Sequence, residues 1–332
     1  MKGSKIRWGI LGCGRIARKF AADLLLIDDA ELTAIASRNK ETLELFAKDF
    51  PCKHLHNNYE SLVANDEVDV IYIATPHSHH YEHTMLCLNH NKAVLCEKAF
   101  AINSRQASEM IKTAKERKIF LMEALWTKFL PHYKKLQELL KQKTLGDIKS
   151  VLANFGFKTS GTSPQRLFDP LLGGGSLLDI GIYNVFITIS VLGKPDSIEA
   201  TMIPSSTGID EQIAVLFKYN NGAMAQLFSS FTTNLPIQAE INGTEGCITL
   251  TTRFYEPSAT IQLSKKIPYE REVIPVENEA GLGYHYEARH VNECLKKGLI
   301  ESPVMTHADT LTLMEVLDTI RMKAGLKYPV DL

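Results

Sequence analysis

Lys98, Asp179 and Tyr183 are the side chains in this sequence best placed to handle a proton. Lys98 stands in Cys96-Glu97-Lys98-Ala99, directly after an apolar run. Its ammonium there is able to hydrogen-bond a substrate hydroxyl or lower the pKa of a neighbouring acid. Taken alone, that tetrapeptide reads as a solvated loop lysine. Asp179 and Tyr183 follow Gly173-Gly174-Gly175 and are four residues apart, so on a helix they share one face. A carboxylate and a phenol at a glycine-rich helix entrance form a proton-handling pair. Taken alone, they read equally as a helix-terminal charge and a core tyrosine.

Other clusters suit a bound nucleotide. Ile6 to Lys19 opens as a short apolar strand, breaks at Gly12 and Gly14, and continues as a helix. Gly12 permits a tight turn, Gly14 lets backbone approach a pyrophosphate, and the small Ala17 lets helix and strand pack closely. The unpaired N–H groups at the helix start, Arg15 and Ile16, then face the ligand's negative charge. After the second strand comes Ala36-Ser37-Arg38, where an NAD site usually carries an acidic residue for the ribose 2′-hydroxyl. A hydroxyl and a guanidinium fork suit a 2′-phosphate instead, which favours NADP with NAD possible. The other reading of Arg38 is an exposed surface arginine.

Thr75-Pro76-His77-Ser78-His79-His80 ends an apolar strand, the edge along which open α/β sheets bind ligands. His79 and His83 also have ligand-like spacing. No carboxylate is counted with them at helical spacing, so no metal is expected, and the stretch reads as a polar loop with one histidine touching cofactor or substrate.

These residues need elements to hold them. Apolar strands Ile6–Leu11, Leu32–Ala36, Asp69–Ala74, Ala93–Cys96 and Ile119–Met122 alternate with helices reaching about Leu26 and spanning Lys40–Asp49, His80–Asn89 and Asn103–Lys118. Asn103 is the expected N-cap of the last, with Gln106 three residues on. Continuous apolar strands separated by helices give a parallel sheet covered on both faces. The pattern changes near Ala124. A helix from Pro131 to Lys141, a long strand from Ile148 to Lys158 and a helix from Gly173 to Leu192 precede a strand-rich block, Ser197–Pro275. Helices near Tyr286–Lys297 and Ala308–Ala324 close the chain. The expectation is an α/β chain with an N-terminal doubly wound parallel sheet (1–123) and a C-terminal α+β domain (124–332) with a large open-faced, mostly antiparallel sheet. The C-terminal helices are allowed to return to the first domain. Ile213 to Phe217 is apolar throughout, so both faces of that strand need cover, one of them from a second copy of the chain.

With 332 residues and 45% hydrophobic content the chain is globular. A net charge of −1 offers neither a basic field for nucleic acid nor a polybasic membrane patch. No apolar run is counted as membrane-spanning, and the first residues lead straight into the first strand. The six scattered cysteines form no C-x-x-C pair and read as reduced thiols, so a cytoplasmic location is expected.

Together the motifs Gly12-Cys13-Gly14-Arg15-Ile16-Ala17, Thr75-Pro76-His77, Glu97-Lys98 and Gly174-Gly175-x-x-x-Asp179-x-Gly181-x-Tyr183 resemble the glucose-fructose oxidoreductase / inositol dehydrogenase (Gfo/Idh/MocA) family over essentially the whole chain. Glu123 to Pro131 resembles the branch of dimeric dihydrodiol and NADP-dependent D-xylose dehydrogenases. The resemblance implies a Rossmann domain, an open-faced sheet used in oligomerisation, and oxidation of a sugar-like carbinol or vicinal diol with NAD(P). It implies Lys98 as catalytic lysine, Tyr183 as general acid/base and Asp179 as substrate or proton-relay partner. Gly12, Gly14, Arg15, Ile16, Ser37, Arg38, Thr75, Pro76, His77, Glu97 and Lys98 would hold the cofactor. Trp126 and Phe155 would line the substrate pocket, with selectivity set by Trp126 and the Phe155–Arg166 stretch. Ala99 departs from the family's usual proline and removes a fixed φ beside Lys98. A polyol dehydrogenase, or a nucleotide-binding sensor without turnover, are the alternatives.

Overall fold

The structure, a computed structural model, describes residues 5–160, 165–265 and 270–331. Met1 to Ser4, residues 161–164 of the Phe155–Arg166 stretch and residues 266–269 of the Ser197–Pro275 block lie outside the described residues. In chain order the elements are β1 (Ile6–Leu11), α1 (Arg15–Leu24), β2 (Ala30–Ala36), α2 (Lys40–Asp49), β3 (His54–His56), α3 (Tyr59–Val63), β4 (Val70–Ile73), α4 (His80–Asn89), β5 (Ala93–Glu97), α5 (Ser104–Arg117) and β6 (Leu121–Ala124). Then come α6 (Pro131–Lys141), β7 (Ile148–Gly156), α7 (Ile182–Leu192), β8 (Ser197–Pro204), β9 (Asp210–Lys218), β10 (Met224–Ser230), β11 (Gln238–Gly243), β12 (Cys247–Thr251), β13 (Thr260–Ser264), β14 (Glu272–Ile274), α8 (Tyr284–Lys296) and α9 (His307–Ala324). They form two compact units, Met1–Phe129 with Glu279–Leu311, and Leu130–Asn278 with Thr312–Leu332.

The first unit carries a parallel sheet in the order β3-β2-β1-β4-β5-β6. Strand direction of build reverses between β1 and β4, and that switch point opens a crevice at the strands' carboxyl ends. Val70–Ile73 and Ala93–Glu97 are buried at every position, as a sheet covered on both faces requires. In α5, the Asn103 side chain accepts a hydrogen bond from Gln106 N, while the Gln106 side chain reaches back to Ile102 N. This reciprocal cap satisfies donors that the first helical turn leaves open. Segment 279–311 joins this unit because α8 packs on α1: the buried Asp23 carboxylate accepts from Leu282 N and Tyr284 N at 2.8 and 2.7 Å.

The second unit has an eight-stranded sheet, β14-β13-β12-β11-β7-β10-β9-β8, in which, among the described residues, only the β10–β7 pair runs parallel. Val151, Ala153 and Phe155 of β7 and Ile213, Val215 and Phe217 of β9 make its buried face, over which α7 packs. Leu152 and Met224 lie on the opposite face, 38% and 42% exposed.

Several sequence expectations are corrected. β3 and α3 were not anticipated: three and five residues are too short to display a period. The sixth strand starts at Leu121, because Lys118 adopts a left-handed φ of 56° and ends α5 with a turn that occupies Ile119. The long strand stops at Gly156, and Gly173–Gly175 form a loop ahead of the helix. Leu177–Gly181 is one π turn, after which α7 begins at Ile182. The stretch Pro170–Leu192 does reach membrane-spanning length and hydropathy, with 72% of its apolar window buried inside the protein. It is the core element that covers the sheet.

Candidate active site

In the first unit the glycine turn sits at the switch point. Gly12 has φ +97°, and a side chain there would meet Thr75 and the Ala74 carbonyl within 3.2 Å. Only glycine fits so close to the strand neighbouring across the switch point. At Gly14 a Cβ would find no protein atom nearer than 4.0 Å, so it would project into open space. Gly14 is also the N-cap of α1, and no side chain caps that helix. Uncapped helical N–H groups beside open space are what a pyrophosphate requires. Arg15 is exposed, Ile16 partly so, and Ala17 is fully buried against the strands.

Ser37 and Arg38 follow β2. The Ser37 hydroxyl accepts from Asn39 N at 3.2 Å, and the exposed Arg38 guanidinium lies 5.5 Å above the Tyr59 ring. No carboxylate occupies either position. Across the switch point, Thr75 and Pro76 are partly exposed and His77 is buried at the start of a short 3-10 turn. These residue types suit a dinucleotide.

Glu97 closes β5. Its carboxylate accepts a short hydrogen bond from the buried Tyr72 hydroxyl and a second, at 3.2 Å, from Lys98 N. Lys98 is partly exposed and Ala99 fully buried. His80 stands behind them, with Nδ1 2.7 Å from the Ala99 carbonyl and Nε2 2.8 Å from that of Thr75. A neutral ring donates to only one of these two carbonyls at a time, so His80 stands between the loop bearing Lys98 and the loop after β4 and ties one of them. Burial pushes the His80 imidazole down to about 4. Sequence reading passed over His80 as one more polar residue at a helix start. It also passed over Glu287, a fully buried carboxyl that nearby Glu97 and Asp23 help to hold neutral. Trp126 is buried and stacks on Tyr284, ring centres 4.3 Å apart.

In the second unit Asp179 lies on the π turn and Tyr183 in the first turn of α7. π turns recur at functional sites because they re-aim one turn of side chains. Arg166 Nη1 donates to Asp179 Oδ1 at 3.3 Å. Tyr183 sits among aromatic rings, 4.7 Å from Tyr255 and 6.1 Å from Phe155, which itself stacks on Tyr255 at 4.6 Å. Tyr255 had no sequence signal: it follows a turn in which Thr252 and Arg253 both have positive φ, outside any strand or helix.

The glycine loop is held from below. Asp210, at the start of β9, accepts from the Ser176 hydroxyl at 2.8 Å and from Leu177 N at 2.6 Å. Tyr328 donates its hydroxyl to the Gly174 carbonyl at 2.5 Å. A side chain at Gly175, where φ is +111°, would come within 2.2 Å of Asp210 Oδ1. Asp210 thus sets where the turn carrying Asp179 begins.

The ground given for expecting no metal is also corrected. Glu82 falls at helical spacing between His79 and His83, and the three side chains bring ligand atoms within 4.8 Å of one another.

Residues 6–125 match the family model described as an oxidoreductase family with an NAD-binding Rossmann fold, and residues 133–249 match the Gfo/Idh/MocA C-terminal domain. The chain belongs to the Gfo/Idh/MocA family of oxidoreductases. It is 36% identical to trans-1,2-dihydrobenzene-1,2-diol dehydrogenase of Xenopus tropicalis, covering 97% of this chain and 99% of that protein. The human protein of that name is also 36% identical, over 98% and 99%. A 3-ketoreductase from Actinomadura kijaniata, solved with NADP and TDP-benzene, superposes with a TM-score of 0.86 at 25% identity over 97% of this chain and 98% of that one. An aldose-aldose oxidoreductase from Caulobacter crescentus shares the fold, with a TM-score of 0.87 at 22% identity and coverage of 97% and 98%. Family membership makes the first unit an NAD(P)-binding Rossmann domain.

Proposed function

We propose that this oxidoreductase is an NADP-dependent dehydrogenase acting on a carbinol of a trans-dihydrodiol or cyclic sugar. The full-length relationship to dihydrodiol dehydrogenases supports the substrate class. The observation that carries the reading is the second unit's turn, where Asp179, paired with Arg166, and Tyr183, set among Phe155 and Tyr255, follow a rigidly held glycine loop. A carboxylate suits a substrate hydroxyl, and flat rings suit the apolar face of a ring-shaped substrate.

The amides at the start of α1, with Gly12 and Gly14, would hold the pyrophosphate, and Arg38 and Ser37 the 2′-phosphate. Thr75, Pro76, His77, Glu97 and Lys98 would border the rest of the dinucleotide. A bound nicotinamide would supply the hydride acceptor for the carbinol carbon. Tyr183 takes the hydroxyl proton of the same carbinol, so the alcohol becomes a ketone. A free phenol, with pKa about 10, is a weak base near neutrality. Lys98 is assigned the catalytic-lysine role that the family resemblance implies, an ammonium able to stabilise charge that develops on a substrate oxygen. Asp179 fixes the neighbouring hydroxyl. All six cysteines are free thiols, which supports a reducing, cytoplasmic setting.

The test is turnover. Wild-type protein mixed with NADP and a panel of trans-dihydrodiols and aldoses is expected to produce reduced-nicotinamide absorbance. Tyr183→Phe is expected to lower the rate by about 10²–10⁴-fold while NADPH binding, followed by fluorescence, persists. Near-normal turnover in that variant removes Tyr183 from the role, and no turnover with any diol or sugar favours a nucleotide-binding sensor.

A further inference from the structure

We propose that His79, Glu82 and His83 form a site for a divalent first-row transition metal of the zinc class. The argument starts from their frame. His79 closes the 3-10 turn before α4 with helical backbone angles, φ −96° and ψ −8°. The helix therefore runs in register through all three, and positions i, i+3 and i+4 project from one face. His79 Nδ1 lies 2.7 Å from Glu82 Oε1, and His83 Nε2 lies 3.4 Å from the same oxygen. Zinc holds imidazole nitrogen and carboxylate oxygen at about 2.0–2.2 Å. The three ligand atoms all lie within 4.8 Å of one another, close to the separation of at most about 4.4 Å that two donors on one such ion can have. Two imidazoles and one carboxylate are a donor set that such metals take, leaving positions open for water.

Three further observations favour a ligand over an ordinary surface pair. Thr75 Oγ1 lies 3.0 Å from His83 Nδ1. If it accepts that N–H, the Nε2 lone pair is left facing Glu82, the outer support that metal-bound histidines generally have. The Tyr59 ring meets His83 edge-on at 4.7 Å, and the His79 ring stacks on it at 5.5 Å, so both imidazoles are held. Exposure is graded: His83 is buried, His79 is 25% exposed and Glu82 57%, which gives an ion a way in. Among the described residues this is the one group of three such side chains so arranged. The three ligands themselves are not among the residues assigned to dinucleotide or substrate, although Thr75, which supports His83, is, and the site does not depend on the dehydrogenase reading. The competing account is an imidazole–carboxylate pair that steadies the first turn of α4 and binds nothing.

The experiment uses the untagged full-length protein, stripped with a chelator and dialysed. Zn²⁺ is titrated by calorimetry and Co²⁺ by visible absorption. One equivalent is expected, with His79→Ala and Glu82→Gln each weakening binding by about tenfold or more. Both altered side chains reach solvent, and melting curves of the metal-free variants report that they fold. Zn²⁺ should raise the wild-type melting temperature and leave that of the His79→Ala/Glu82→Gln double variant unchanged. Absence of binding to wild type overturns the site. So does equal binding by the variants, which would place the ion elsewhere, for instance at the His54–Glu67 pair.

Discussion

On the proposed reading, Arg38 is the residue that would separate NADPH from NADH. It occupies the position after β2 where an acidic side chain would repel a 2′-phosphate, and no such side chain is present at Ser37 or Arg38. Its guanidinium lies over the Tyr59 ring, which limits its freedom before any phosphate arrives. A hydrogen bond to a charged group contributes about 1.5–3 kcal/mol, so Arg38→Ala is expected to weaken NADPH by roughly tenfold or more. NADH lacks the phosphate and should lose little. Fluorescence titration of both nucleotides measures the difference, and equal losses would contradict the phosphate-clamp reading. Cys13 lies in the same turn but offers no chemistry: burial pushes its thiol up to about 12, far from a reactive thiolate.

At the scale of elements, the turn bearing Asp179 and Tyr183 depends on a carboxyl that never touches the proposed substrate. Asp210 is buried, and burial pushes its carboxyl up to about 7 even though Ser176 and Leu177 donate to Oδ2. Oδ1 has no partner among the described residues, and the neighbouring Tyr328 phenol is pushed well above its usual range. In the unfolded chain this group titrates near 3.9. Between about pH 4 and 7 the folded state therefore holds a proton that the unfolded state has lost. Its contribution to stability falls as pH rises through that window and is level above it. Asp210→Asn removes the titration. Wild type should lose ground relative to the variant between pH 5 and 7 in urea melts, and parallel curves would show that Asp210 is ionised throughout. Glu123, also pushed up to about 7 by burial, acts with the same sign in both proteins and cancels.

How much of this was readable follows from where the information lies. α2 and α6 match their expected bounds because the Asn39 cap, the proline that opens α6 and the apolar period are local. The parallel sheet was readable because strands covered on both faces show as unbroken apolar runs. Gly12 and Ala17 were readable from spacing alone. Asp210, Tyr255 and His80 were not, since each acquires its role only when a distant segment folds against it. Glu82 was in plain view at helical spacing and was missed by weighing the histidines alone.

For the whole molecule, the second unit's sheet presents one face that its own helices do not bury. Leu152 on β7 stands opposite Gln226 of β10 and Glu240 of β11, and Leu216 of β9 opposite Gln226 from the other side. Ala214 and Leu216 are only partly covered, whereas Ile213, Val215 and Phe217 on the reverse are buried. Two of the five side chains of the apolar run Ile213–Phe217 are therefore only partly covered within one chain. Polar residues interspersed on a broad flat surface, with leucines between them, suit a self-complementary contact about a two-fold axis. We propose a homodimer through this face. A stable contact needs about 800 Å² from each partner, which strands β7 to β10 are wide enough to supply. Sedimentation of wild type should return twice the chain mass of 37.1 kDa. A lysine at the centre of the face would bring two like charges into a desolvated interface, so Leu152→Lys is expected to shift the mass to that of one chain. Because Leu152 contributes nothing to the buried face, the variant should retain its fold by circular dichroism. A monomeric wild type, or a dimer indifferent to Leu152→Lys, would assign this surface to some other use.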